Sequence, residues 1–233
     1  IVNKVKQGAK IAFAGRRFMD EVEWAMFTIS EGRTDAEASH QAKRIHAICE
    51  AEGGKALPDS IPRILAANPF GPVNNMVGAE GERWLPVHGL VPHSKGEQVL
   101  AAIEAVYERN RALLAQYAIE TGYLIATVSE QITVLEPVFF WPDALNSLHK
   151  HSLEPEHLAR INQFDAVPQA WDAVYKIKSE VVDVLSAQGA SHLQLGKAYH
   201  YRPALKAPAE GLISGIKSIL DPDKIMNPGV LGF

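Results

Sequence analysis

The sequence has one cysteine, no long apolar run and no block of basic residues, and each absence excludes a class of protein. Cys49 alone forms neither a disulfide framework nor a thiolate metal site. No apolar stretch approaches the roughly 20 residues that cross a bilayer, and residues 1–18 do not predict a signal peptide. The formal charge is −4, from 23 Lys and Arg against 27 Asp and Glu, which argues against nucleic-acid binding. We expect a cytoplasmic protein without nucleic-acid or membrane partners.

The residues that are present are typical of a globular protein with a sizeable core. Of 233 residues, 47% are hydrophobic and 21% charged. Hydrophobic spacing predicts strands at 24–30, 84–92, 123–141 (two strands joined near 129–131) and 192–199, and helices at 35–52, 97–117, 168–187 and 208–220. This order predicts an α+β fold: a mixed, mostly antiparallel sheet that includes 24–30, with helices packed on one face as in ferredoxin-like units.

The last stretch, "LDPDKIMNPGVLGF", is not typical of a frayed end. Two prolines fix φ, the residue before each proline is pushed out of the α region, and Gly229 allows positive φ. Five apolar side chains alternate with these fixed points: Ile225, Met226, Val230, Leu231 and Phe233. A rigid, apolar terminus of this kind is expected to dock against another surface.

This tail, together with the preceding helix and the segment "GASHLQLGKAY", resembles the C-terminal part of flavoproteins related to vanillyl-alcohol oxidase, p-cresol methylhydroxylase and the D-lactate and glycolate dehydrogenases. The resemblance covers residues 120–233 well and the first half only in the order of its elements. It implies a cap, or substrate, domain over 1–199 and a segment 200–233 that packs on a separate FAD-binding module. It also implies that Asn227, Pro228 and Gly229 contact the FAD cofactor.

The chain departs from that family in its first half and at one position of the tail. Residues 1–60 contain no glycine-rich stretch that would approach a pyrophosphate, and Val230 stands where the family often has Lys. We therefore expect the C-terminal portion of an FAD-linked oxidase or dehydrogenase that acts on a small-molecule substrate. This chain alone is expected to be inactive and not to retain FAD, and the apolar tail makes a homodimer possible.

Glu136 and His192 are the candidate catalytic residues. The family places the strand 132–141 beside the flavin, where some members attach FAD through a His; Glu136-Pro137 stands there instead, so covalent attachment is not expected. A buried carboxylate with a raised pKa can act as a base. The alternative is a solvated Glu on an edge strand, where Pro is tolerated.

The segment 191–202 supplies further candidates. As a strand it would place His192 and Gln194 on one face, and the resemblance puts this segment at the substrate site. The alternative is a strand whose polar face is simply solvated. Tyr199 and Arg202 follow as candidate substrate-binding residues, since Arg can hold a carboxylate with two hydrogen bonds.

His88 is the last candidate substrate-binding residue, because Gly89 beside it would let a ligand approach the backbone. A structural histidine is the alternative. The cluster "HKHSLEPEH" at 149–157 is interpreted as a polar loop, so no metal site is predicted. Four aromatic residues would suit an aromatic alcohol: Phe139, Phe140, Trp141 and Tyr199. The competing function is a non-catalytic α+β domain that binds a small ligand or a partner chain.

Overall fold

A computed structural model describes residues 22–57, 59, 62–63, 67 and 70–233. The chain divides into two units, Ile1–Gly71 and Pro72–Phe233. The segment 200–233 therefore belongs to the same unit as the sheet described below. Its packing on a separate FAD-binding module stays a prediction.

The first unit contains helix α1, Asp35–Ala51. Thr34 caps its first turn, where the hydroxyl oxygen accepts a hydrogen bond from the Glu37 amide at 3.2 Å. No residue of α1 is buried, and its predicted packing on the sheet stays a prediction. The predicted strand 24–30 is wrong, because this segment has no regular structure and most of its side chains are exposed. β-Branched and aromatic residues favour a strand only where a neighbouring strand takes its hydrogen bonds.

The second unit is built on a four-stranded antiparallel sheet: β1 Arg83–Pro86, β2 Gly89–Pro92, β3 Glu120–Thr127 and β4 Ile132–Trp141. β4 lies in the centre, with β3 along one side and with β1 and β2 end to end along the other. The predicted strands at 84–92 and 123–141 are confirmed. The absence of 24–30 from this sheet removes one of the elements whose order supported the family resemblance.

Pro137 explains why β1 and β2 are separate strands. The register runs without a slip from Pro86 opposite Val138 to Gly89 opposite Leu135. Between these pairs, the amide of Val87 donates to the Pro137 carbonyl at 2.9 Å. Proline has no N–H to donate in return, so the ladder is interrupted at this one pair. The alternative interpretation of Glu136, as a solvated residue on an edge strand, is therefore wrong about the strand, because β4 is central.

Helices cover one face of the sheet. They are α2 Gly96–Arg109, α3 Arg111–Gln116 and α6 Pro168–Ala187. The core between them and the sheet includes the fully buried side chains of Val91, Ile103, Phe139, Trp141, Ile177 and Leu185. The predicted α+β fold, with an antiparallel sheet and helices on one face, is confirmed.

The remaining helices are α4 Ser147–Ser152, α5 Pro155–Leu158, α7 Tyr201–Ala204 and α8 Ala207–Leu220, and short 3₁₀ turns occur at Asn74–Met76, His93–Lys95 and Val230–Gly232. No helix in the described part of the chain is long and apolar enough to span a membrane.

Candidate functional site

The candidate site lies at the outer edge of β1 and β2, where segment 191–199 covers the open strand. Leu90 and Ser191 exchange backbone hydrogen bonds of 2.8 and 3.1 Å. The His88 amide donates to the Tyr199 hydroxyl oxygen at 2.9 Å, and the His88 carbonyl accepts from His192 Nδ1 at 2.7 Å. Backbone groups that an edge strand would expose are thus bonded to side chains.

Segment 191–199 is not a strand, so the predicted alternation of its side chains is wrong. It makes a single bridge at Ser191 and then turns, with Gly196 at φ 50°. The His88 side chain replaces a partner strand: its Nε2 accepts the amides of Leu193 at 2.6 Å and Gln194 at 3.1 Å. One buried imidazole therefore orders the backbone of this segment.

The hydrogen bonds of His88 define its protonation state. Because Nε2 accepts two N–H groups, it carries no proton, and the proton of the neutral ring lies on Nδ1. Nδ1 is 3.0 Å from the Tyr199 oxygen and donates to it. Burial, and then the neighbouring His192, lower the pKa of His88. His88 is therefore a neutral structural donor and acceptor rather than a group with a free lone pair.

Tyr199 accepts two hydrogen bonds from His88, one from its amide and one from Nδ1. Its own O–H proton is not used in either bond and remains available as a donor. Burial is the main cause that raises the pKa of Tyr199; the amide of His88 opposes this shift and the Glu136 carboxylate adds to it. Tyr199 is thus a protonated phenol at neutral pH, and its O–H donates to no acceptor among the described residues.

Whereas Tyr199 offers a hydrogen-bond donor, His192 offers an acceptor. Its Nδ1 donates to the His88 carbonyl, so in the neutral ring Nε2 is an unprotonated nitrogen. Within the described residues, Nε2 has no hydrogen-bond partner. Burial lowers the pKa of His192, which the bond to His88 opposes and His200 reinforces. The rings of His192 and Tyr199 stack with centroids 4.0 Å apart, which brings a proton acceptor and a proton donor within reach of one small group.

Glu136 completes the cluster. The continuous register places it opposite His88, on the sheet face that points away from the helices. Burial raises the pKa of its carboxyl group. The structure therefore brings together Glu136, His88, His192 and Tyr199, which the sequence predicted separately; we call these four residues the His–Tyr cluster. Their catalytic and substrate-binding roles stay predictions.

Gln194 and Arg202 are placed differently. Gln194 takes part through its backbone amide, while its side chain is exposed. Arg202 lies in α7, where its guanidinium forms a salt bridge of 2.7 Å with Glu210. It also donates to the Gly232 carbonyl at 3.3 Å and lies 4.8 Å from the centroid of the Phe233 ring. The structure thus uses Arg202 to hold the tail.

The tail does not provide a cradle for the pyrophosphate of FAD. The backbone amides from Gly229 to Phe233 all donate to carbonyls of this chain, including a bond of 2.8 Å from Leu231 to Gly196. A pyrophosphate site needs free backbone donors, so these residues do not fit that part of the cofactor. Contact of Asn227, Pro228 and Gly229 with a flavin held elsewhere stays a prediction.

The prediction that four aromatic residues line a substrate pocket is wrong for two of them. Phe139 and Trp141 are fully buried on the helix-packed side of β4, because alternate residues of a strand point to opposite faces. The predicted polar loop at 149–157 is wrong, because most of these residues belong to α4 and α5. His149 is buried and completes a capping box with Asn146 at the start of α4. Among the described residues, no group of three His, Cys, Asp or Glu could hold a metal ion.

The sequence interpretation missed Pro137 as the cause of the strand break and Lys178 as a buried cation. Lys178 interrupts the apolar stripe of α6 between Ile177 and Val181, and that spacing was the available signal. No family model matches the chain, and no curated protein or solved structure matches it either.

Proposed function

We propose that the chain is the substrate-domain portion of an FAD-dependent oxidase or dehydrogenase that oxidises an alcohol, a phenol or a hydroxy acid. The observation that carries the proposal is the pairing of a free acceptor, His192 Nε2, with a free donor, the Tyr199 O–H, on stacked rings. The resemblance of the tail and of segment 189–199 to the flavoproteins named above supports it. We place the protein in the cytoplasm.

A substrate hydroxyl group matches this pair because it both donates and accepts a hydrogen bond. It would donate its proton to His192 Nε2 and accept a bond from Tyr199, so that the alkoxide character that develops during oxidation is stabilised as the proton leaves. The Nδ1 bond to the His88 carbonyl holds the ring in the required tautomer and stabilises the imidazolium. Glu136, with its raised pKa, lies on the same sheet face as His88 and supplies a second titratable group beside Tyr199.

FAD is the hydride acceptor in this proposal, and another module would hold it, because the tail offers no pyrophosphate cradle. The residues of this chain bind the substrate, orient its hydroxyl group and accept its proton. Division of labour between a cofactor and an orienting protein site is the rule for flavin chemistry.

The test uses this chain and a longer polypeptide that includes the codons upstream of Ile1. This chain should be purified without a visible flavin absorption band, and the longer polypeptide should be yellow. A panel of aliphatic alcohols, phenols and hydroxy acids should then bleach the flavin of the longer polypeptide under anaerobic conditions. A start codon immediately before Ile1, or a colourless longer product, would favour the non-catalytic binding domain.

Variants of the longer polypeptide separate catalysis from structure. His192→Asn keeps a donor for the His88 carbonyl but removes the base, so the rate of flavin reduction should fall by about 10² to 10⁴. Tyr199→Phe keeps the stacked ring and removes the hydroxyl, and it should also slow reduction. Leu193→Ala is the matched control, since the Leu193 side chain is exposed and only its backbone amide bonds to the cluster. An unchanged rate in His192→Asn would contradict the proposed base.

A further inference from the structure

Lys178 is the only charged residue among the eight buried residues of α6, and its side chain has no anionic partner in the described chain. The residue is 8% exposed. Its Nζ lies 4.6 Å from the centroid of the Tyr175 ring, and no carboxylate of the described residues forms a salt bridge or hydrogen bond with it. Lys178 Nζ is not among the buried side-chain atoms that lack a partner in the described residues, so solvent reaches it from the space beside the ring.

Most of the Lys178 side chain is nevertheless buried, and among the described residues no counter-charge is paired with its ammonium group. Buried cations in proteins are normally paired, because the loss of hydration is only partly offset by an aromatic face. Burial accordingly lowers the pKa of Lys178. Ile177 and Val181, which lie next to Lys178 on α6, are apolar and fully buried. An apolar side chain could therefore also occupy position 178. A lysine at this position therefore suggests a ligand that supplies negative charge.

The space beside Lys178 is a cavity of about 150 Å³. Tyr175, Lys178, Ser179 and Val182 of α6 form one wall, and residues 197–200 form the other. Lys197, whose Nζ lies beside Gly229 of the tail, brings a second positive charge to the wall, and Ser179 brings a hydroxyl group. His200 is bonded to Asp183 at 2.8 Å. At about 30 Å³ for each water molecule, the cavity has room for about five water molecules, which is enough for a small oxyanion.

We propose that this cavity is a binding site for a small oxyanion, with Lys178 as its buried anchor and Lys197 as a second cation at the wall. A carboxylate and an inorganic oxyanion share the required chemistry: compact negative oxygen atoms that accept charge-assisted hydrogen bonds. A metal cation would meet two lysines, and an uncharged ligand would leave Lys178 uncompensated. The site belongs to this chain alone and does not depend on the proposed oxidase function, although Tyr199 lies in both the cavity wall and the His–Tyr cluster.

The experiment measures binding of acetate, inorganic phosphate and chloride to the purified 233-residue chain by calorimetry at constant ionic strength. Acetate or phosphate should bind saturably and more tightly than chloride; the order of the two identifies a carboxylate or a tetrahedral oxyanion as the better ligand. Lys178→Met, of similar shape without the charge, should weaken binding by about tenfold or more. Lys176→Met on the exposed side of the same helix is the matched control and should change binding less than about twofold.

A second measurement remains informative if Lys178→Met does not fold. Lysines carrying ¹³C-methyl groups keep their charge and report on their surroundings by NMR. One lysine signal, absent from the Lys178→Arg variant, should shift saturably with acetate or phosphate, while the Lys176 signal should not. Equal effects of all three salts, unchanged binding in Lys178→Met, or a Lys178 signal insensitive to both oxyanions would overturn the proposal.

Discussion

Helices α6 and α8 have similar apolar patterns but different surroundings. α6 buries eight residues, seven of them apolar, against the sheet and α2. α8 buries none, although it carries five large aliphatic residues: Leu212, Ile213, Ile216, Ile219 and Leu220. An apolar helix face can therefore have two different roles. The apolar face of α6 is part of the core, whereas that of α8 is left without a partner in the described chain.

Polar contacts, rather than apolar packing, fix the region around α8. Asp221 is buried and accepts the amides of Ile225 at 2.9 Å and Met226 at 3.1 Å, and it is paired with Lys217. The side chains of Ile225 and Met226 remain exposed, by 78% and 58%. A large exposed apolar patch usually marks an interface. This surface is consistent with the proposed FAD-binding module as its partner, and equally with a second copy of the chain.

The largest expected difference between the two helices is in the free energy of unfolding. Ile177→Ala in α6 should lower it by about 2–5 kcal/mol, because a fully buried isoleucine leaves a cavity. The matched change Ile219→Ala in α8 should alter it by no more than about 0.5 kcal/mol, since Ile219 is 79% exposed. Urea denaturation followed by circular dichroism measures both. Equal losses would show that α8 belongs to the same cooperative core.

Removal of the His88 ring should have the next largest effect. His88→Leu leaves the amides of Leu193 and Gln194 without their acceptor and removes one donor to Tyr199. Each unsatisfied buried group costs about 1–3 kcal/mol, reduced here to the extent that water reaches the segment. Gln194→Ala, which removes an exposed side chain and keeps the backbone, should be close to neutral. Urea midpoints that are the same for both variants would contradict the ordering role of His88.

The pH dependence of stability should reflect the same cluster. Burial lowers the pKa of His88 and His192 below the value of about 6.5 for an unfolded histidine. Between the folded and unfolded pKa values, the unfolded state binds more protons. Their stabilisation is therefore complete above about pH 6.5 and is lost as the pH falls toward the folded pKa values.

Urea midpoints measured from about pH 8 to pH 5 test this direction. His192→Asn should reduce the loss at low pH but not abolish it, because His88 and also His149, whose pKa burial lowers, still contribute. A protein that becomes more stable below about pH 6.5 would show that these histidines gain protons on folding, contrary to their hydrogen bonds.

The sequence predicts the sheet and its covering helices because their patterns arise from local periodicity and continuous burial. β-Branched and aromatic residues over 132–141 identify β4, and helical spacing over 168–187 identifies α6. The sequence does not predict segment 191–199, because its backbone follows the ring of His88, about a hundred residues away. The strand predicted at 24–30 is wrong because its composition is typical of a strand but no neighbouring strand among the described residues takes its hydrogen bonds.

The sequence was sufficient to predict which residues belong to the candidate site, but not that they lie close together. His88, Glu136, His192 and Tyr199 are chemically conspicuous in the sequence, whereas their convergence depends on strand register and on a segment with no regular structure. Lys178 was hidden for a different reason, since a charged residue within an apolar helix pattern is normally expected to reach solvent.

Deleting residues 221–233 should change stability little, and it tests directly whether α8 and the tail form an interface. The deletion removes buried Asp221, whose contacts join the tail only to Lys217 of α8. It also removes the Leu231 bond to Gly196, and the hydrogen bond and ring contact that Arg202 makes with the tail. Such interactions contribute little, so the free energy of unfolding of the remaining core should fall by only about 1 kcal/mol. If the truncated chain unfolds instead, the tail is part of this domain's own core.

Self-association should respond to the deletion more strongly than stability does, because burial of one large apolar side chain contributes about 1.5–3 kcal/mol. Sedimentation at several concentrations should show any dimer of the full chain weakened by the deletion and also by the double variant Ile225→Ser, Met226→Ser, which changes two exposed side chains and leaves the Asp221 hydrogen bonds in place. A dimer that persists in both variants would place the interface elsewhere.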